Sequence, residues 1–170
     1  MTRTLSLDFR EAVNAQESGE VPIFLVTIDH DDLDEPIYLS TDPTELVTDV
    51  PLVYKTVSNS IDFIYLPMSV VLPDEREGAA PRSQLRISNV TQDLVAMIRA
   101  TTTPARAKIQ LVLASALDDV EVESPWLDVI AANANSGELT IDLSLNSMTT
   151  EMLPSDSFDP SSFPGLHVRT

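Results

Sequence analysis

Hydrophobic and polar positions change rhythm along this chain, and each change marks an element. Over Ser6 to Gln16 the residues Leu5, Phe9 and Val13 recur four apart with Ala12 beside them, which predicts one apolar helix face that Ser6 can cap. Gly19 and Pro22 then end the helix. A helix this short is marginal alone, so it is expected to lie against a sheet or a neighbouring subunit. The rhythm next shifts to branched and aromatic runs, PIFLVTI (22–28) and PIYLS (36–40), on either side of the acidic turn DHDDLDE. Two such runs around a polar turn predict a hairpin-like pair. PLVYKTV (51–57) and SIDFIYLPMSVVL (60–72) follow. In the second, Ile61, Phe63 and Tyr65 alternate with Asp62, Ile64 and Leu66, an imperfect period of two that predicts cover on both faces near its centre. Pro67 has no N–H for a ladder, so a bulge, bend or edge is expected there.

Beyond the loop PDEREGAAP, Leu85 and Ile87 alternate with Gln84, Arg86 and Ser88, predicting a strand over 82–89. TQDLVAMIRA returns to helical spacing at Leu94, Val95 and Ile98, with Asn89 or Thr91 as cap, and predicts a second short helix. RAKIQLVLAS, DVEVESP, WLDVIAANA and GELTIDLSL supply further strands, separated by turns at ALDD and NANSG. Eight or nine strand candidates and two short helices describe a mainly β fold, an antiparallel β-sandwich or a partly closed barrel. The β-rich domain is expected over 1–150. A Pro/Ser-rich arm takes 151–170, where Phe158, Phe163 and Leu166 are the available anchors onto this or another chain.

Composition narrows the function classes. The chain has 170 residues, enough for one domain with an arm, and no cysteine, which removes disulfides, thiolate metal sites and cysteine nucleophiles. Asp and Glu total 27 against 10 Lys and Arg, a net charge of -17. That balance opposes wrapping nucleic acid but suits solubility, and suits DNA passing nearby without sticking. No apolar run approaches the ~20 residues of a membrane span. MTRTLSLDFREAV lacks a secretory apolar segment, so the chain is expected to work where it is made or in a particle assembled there.

Candidate chemistry is sparse. In DHDDLDE, His30 stands among five acidic residues, but a calcium loop starting at Asp29 would need glycine at Asp34 and glutamate at Ser40; a solvated acidic turn and no metal are expected. Asp118, Asp119, Glu121 and Glu123 raise acid/base catalysis. Glu121 and Glu123 should share one strand face rather than oppose each other across a cleft, which fits solvated side chains better. His30 and His167 are the only histidines, no triad motif accompanies them, and 4 glycines give little material for a phosphate cradle. No catalytic, cofactor-binding or metal residue is assigned, no cofactor is expected, and the expectation is a non-enzyme. Arg82 and Arg86 share a strand face, as do Arg106 and Lys108. Each pair suits either a neighbouring subunit's carboxylates or ion pairs within the chain. Trp126, beside Leu127, Val129 and Ile130, is expected as a core anchor first and an interface anchor second.

Several phrases, in this order and spacing, carry a likeness: LSLDFREAVNAQESGEVPIFLVTIDHDDLDEPIYLSTDPT, PLVYKTVSN, LPDEREGAAPRSQLRISNVTQDLVAMIRA, KIQLVLASALDDVEVE and DSFDPSSFPGLH. The chain resembles a phage-associated family of tail proteins of unknown function, from the tail modules of phages with long non-contractile tails. The resemblance implies a fold of the β-rich tail-tube type. It also implies a structural ring at the tail tip, joining the tail tube to the baseplate hub around the DNA channel. The implied partners are copies of itself (a hexamer, with a trimer as alternative), the tail tube protein and the baseplate hub protein, with DNA passing unbound and no membrane. The implied location is the tail tip of the virion, after assembly in the host cytoplasm. GAAPR (Gly78 to Arg82) and FPG (Phe163 to Gly165) match family segments. Interface residues expected from these readings are Arg76, Gly78, Pro81, Arg82, Arg86, Trp126, Phe158 and Phe163, and the 73–82 loop is expected to reach an adjacent subunit. The competing class is a carbohydrate-binding module at the tail tip with Trp126, Tyr38, Tyr54 and Tyr65 as platforms. A third is a cell-wall glycan hydrolase with Glu121 or Glu123 as acid.

Overall fold

A computed structural model describes residues 5–72, 82–88, 104–135 and 137–145. Within them one helix, α1 (Leu7–Asn14), precedes strands β1 (Pro22–Asp29), β2 (Ile37–Ser40), β3 (Glu45–Asp49), β4 (Leu52–Ser58), β5 (Ile61–Tyr65) and β6 (Met68–Val71). Strands β7 (Arg82–Ser88), β8 (Arg106–Leu113), β9 (Ala116–Glu123), β10 (Leu127–Ala134) and β11 (Glu138–Ser144) follow. The predicted second helix and the 151–170 arm lie outside the described residues.

The strands form one sheet in the order β3-β4-β5-β2-β1-β8-β10-β11-β7-β6, with β9 paired to β8 off this path. The fold is mainly β, as expected, but two finer expectations are corrected. The sheet is mixed rather than antiparallel, because β2 and β5 run parallel. Nor is it closed into a barrel, since the order has two ends.

Chain connectivity nevertheless bends it strongly. β5 and β6 stand seven places apart in the order, roughly 34 Å in a flat sheet at ~4.8 Å per strand. Only Leu66 and Pro67 separate them in sequence, a reach of at most about 11 Å at 3.8 Å per step. The Leu66 N–H donates to the Ser40 carbonyl at the end of β2, and the Pro67 carbonyl accepts from the Ser88 N–H at the end of β7. The run from 60 to 72 is therefore one strand bent at Pro67, whose halves join opposite arms of the sheet. That is the bend its missing N–H predicted.

The arms enclose the core. One cluster joins Val26, Leu39, Ala107 and Ile109 from the β2-β1-β8 arm to Leu85, Leu127, Leu139, Ile141 and Leu143 from the β10-β11-β7 arm. Behind β1, Ile23 and Leu25 pack with Phe63 and Val112 in a second cluster. Burial on both faces explains the near-continuous apolar run of β1. Strand β8 forks: Gln110 to Leu113 pair with β9, whereas Arg106 and Ala107 pair with β10. Ser124 holds the fork. Its N–H donates to the Ile109 carbonyl at 2.8 Å, and its hydroxyl accepts from the Ile109 N–H at 2.9 Å.

Two polar details fix the other arm. Asn59 and Ser60 take φ of 49° and 65° in the two-residue turn between β4 and β5, the backbone of a type I′ hairpin. Asp118 Oδ1 accepts from the Asn59 N–H, tying that turn to β9. Serine has no compensation for left-handed backbone that glycine would lack. Ser60→Gly is expected to raise unfolding free energy by about 0.5–1 kcal/mol, measured by urea denaturation. Ser6 caps α1 as predicted, its Oγ accepting from the Phe9 N–H at 3.0 Å. No residue of α1 is fully buried, so the helix rests lightly on the sheet near Pro22 and Leu113.

Candidate interaction surfaces

The hairpin of β3 and β4 stands at one end of the sheet. All five residues of β3 are exposed, and its outer edge pairs with no strand among the described residues. Leu46, Val47 and Leu52 are exposed, and Val50 at the turn is 90% exposed. Glu45 precedes them opposite Lys55, Asp49 lies among them opposite Leu52, and a bulge between Leu46 and Thr48 interrupts the ladder at Val47. Sequence reasoning missed β3 altogether. The signal was limited to apolar residues on both sides of the Asp49–Val50–Pro51 corner, with none of the alternation that one-sided burial imposes.

A second surface lies on the outer side of the opposite arm. Here β7 alternates as predicted: Ser83, Leu85 and Ile87 turn inward, and Arg82, Gln84 and Arg86 outward. Val71, Arg82, Gln84, Ile130 and Asp142 line a shallow groove. Asp142 accepts from the Gln84 amide at 2.8 Å, and Gln84 Oε1 accepts from Arg86 Nε at 2.9 Å, which orders the guanidinium. Val71 and Ile130 are 58% and 47% exposed, and Ile130 sits in a bulge between Val129 and Ala131.

The third surface is the corner between β9 and β10. Trp126 is 45% exposed, so it is not the core anchor expected from its apolar neighbours; Ser124 enters the interior there instead. Lys108 Nζ lies 6.0 Å from the Trp126 ring centroid and also pairs with Glu123. Arg106 faces Asp128 at 3.9 Å, so both cations of this strand face have partners within the chain. Hydrogen bonding from Lys108 holds the Glu123 carboxyl below its ordinary value, opposed by partial burial and assisted by Gln110. The ionised form is thereby favoured in the fold. Its stabilisation is present above the unfolded carboxyl range and is lost as pH falls through the lower folded value. The pair is half-exposed, so the contribution is below about 1 kcal/mol. The stability difference between the wild-type chain and Glu123→Gln should shrink as pH drops below the ordinary glutamate range; a difference constant across that range contradicts this.

Three of the four carboxylates considered for catalysis make contacts within the fold, Asp118 by accepting from the Asn59 N–H. Glu121 Oε2 accepts from the Ser6 N–H at 2.9 Å, tying α1 to β9, and Glu123 serves Lys108 and Gln110. A shift in the β8–β9 register leaves Glu121 outside the pairing between Val120 and Val122, so the expected simple alternation with Glu123 is broken. His30 is buried rather than solvated, and its Nδ1 accepts from the Asp32 N–H at 3.0 Å. Among the described residues, no three His, Asp or Glu side chains are placed to hold a metal ion. Tyr38 meets Phe63 edge-on and Tyr54 meets Tyr65, so neither ring contact involves Trp126. Arg76, Gly78, Pro81, Phe158 and Phe163, with the 73–81 part of the predicted contact loop, lie outside the described residues. Of the expected interface set, Arg82 and Arg86 come together on one surface and Trp126 stands on another.

Residues 8–129 match the family model of a domain of unknown function, DUF1833, a span running from α1 into β10. No curated protein matches the chain.

Proposed function

The chain belongs to the DUF1833 family, and from its surfaces we propose that it is a structural subunit that assembles with copies of itself. Its place would be a ring at the tail tip of a long-tailed phage, joining the tail tube to the baseplate hub around the DNA channel. The observation that carries self-assembly is the β3–β4 hairpin, a sheet edge unpaired among the described residues and bearing Leu46, Val47, Val50 and Leu52 in solvent. Unpaired apolar edges are a liability in a monomer and an asset in an assembly. The tail-tip placement is supported by the sequence resemblance alone. A net charge of -17 suits it, because an acidic lumen denies DNA the cation contacts whose counterion release drives binding. Position beside a tail tube favours six subunits, with three as the alternative.

Imaging of phage particles that carry this chain tests the placement. The expected result is a symmetric ring of the chain at the junction of tube and tip, around an opening wide enough for duplex DNA. A basic lumen, the absence of an axial opening, or a position elsewhere in the particle rejects it.

A carbohydrate-binding role at the tail tip is the second reading, favoured by the half-exposed Trp126. Lys108 lies close to that ring, and the three tyrosines stand apart from it in sequence and in their ring contacts. Loss of glycan binding in Trp126→Ala, with assembly intact, would select this reading.

A further inference from the structure

We propose that the β3–β4 hairpin of one copy docks head to tail in the groove formed by β6, β7, β11 and β10 of the next copy. This rests on the self-assembly reading and specifies its contact. The two surfaces complement each other in both apolarity and charge. The hairpin offers Leu46, Val47, Val50 and Leu52 together with the carboxylates of Glu45 and Asp49, while its one cation, Lys55 opposite Glu45, is paired with Asp62. The groove offers Val71 and Ile130 beside the exposed guanidiniums of Arg82 and Arg86. Asp142 also lines the groove and accepts from Gln84, so two guanidiniums stand against one carboxylate, and in a chain with 27 acidic and 10 basic residues such a surface repels an acidic hairpin of the same chain less than most. Arg82 has no ion-pair partner among the described residues. Arg86 is ordered by Gln84 through Nε, which leaves its terminal N–H groups, among the described residues, as donors for a carboxylate.

The symmetric alternative is edge-to-edge pairing of two β3 strands. In antiparallel register that pairing sets Glu45 of one copy against Asp49 of the other, like charge on like, across a ladder already interrupted at Val47. The docking of two different surfaces is heterologous. Repeated around an axis it closes a ring, and without closure it grows a filament.

The chain has no cysteine, so introduced thiols report contacts without background. Val47→Cys and Ile130→Cys replace exposed side chains and leave the core intact. The two variants are prepared separately as full chains, mixed with the wild-type assembly conditions retained, and oxidised. The expected product is the mixed Val47→Cys/Ile130→Cys disulfide dimer, several-fold in excess of either homodimer. Arg82→Glu is expected to weaken self-association at least tenfold by sedimentation, and Glu45→Arg in the same chain to restore most of it. Oligomers that form while cross-linking Val47→Cys mainly to itself, or that ignore Arg82→Glu, overturn this contact and leave self-assembly standing. A wild-type chain that stays monomeric overturns both.

Discussion

Replacing Leu127 by alanine is expected to lower the unfolding free energy by about 2–5 kcal/mol, the range for a leucine truncated in a closed core. Leu127 is fully buried and opens β10 opposite Ala107, in one of the two residue pairs that seat β10 on β8. Through that short contact the β10-β11-β7-β6 arm joins the rest of the sheet. The truncated side chain therefore leaves a cavity where neighbours are backbone-anchored on both arms and collapse poorly. Urea denaturation measures the loss. Val47→Ala, on the exposed hairpin, should change stability by less than about 0.5 kcal/mol in the same assay. A loss below about 1 kcal/mol for Leu127→Ala would mean that the far arm is held elsewhere.

Thr56→Val is the second large effect, expected to cost about 1–3 kcal/mol although valine has nearly the same shape. The Thr56 hydroxyl is fully buried, 2.9 Å from both Ser40 Oγ and Thr44 Oγ1, and it donates to the Asp42 carbonyl at 2.8 Å. Removing it leaves the Asp42 carbonyl only the longer bond from Ser40 Oγ at 3.3 Å and strips the buried Ser40 hydroxyl of a partner where water does not reach. Thr56→Ser keeps the hydroxyl and should cost less than Thr56→Val. Equal losses would assign the effect to packing. The same knot holds the end of β2, where the Ser40 carbonyl accepts from Leu66 at the bend between the arms. The hydroxyl network thus supports the geometry that lets the sheet fold back on itself.

What the sequence disclosed follows burial closely. Strands with one buried face, such as β7 with Ser83, Leu85 and Ile87 inward, print their alternation directly. β1 prints a continuous apolar run because Ile23 and Leu25 serve one cluster while Val26 serves the other. Pro67 announced its bend because the missing N–H is a local property. β3 was invisible because nothing on it is buried in this chain, so neither face constrains its residues. The parallel contact of β2 with β5 and the fork at Ser124 depend on which distant strands meet, and no local pattern encodes that. Trp126 misled for a related reason: its apolar neighbours belong to β10, whereas the tryptophan itself occupies the corner outside. The candidate surfaces were half legible. Arg82 and Arg86 were placed on one face by their spacing, but the hairpin that complements them was not.

The proposed assembly of this chain with copies of itself is tested most directly by the mass of the chain in solution. Sedimentation equilibrium over a wide concentration range, at low and at moderate salt, should give a fixed multiple of 18.6 kDa. A mass of 18.6 kDa at every concentration and salt would contradict it.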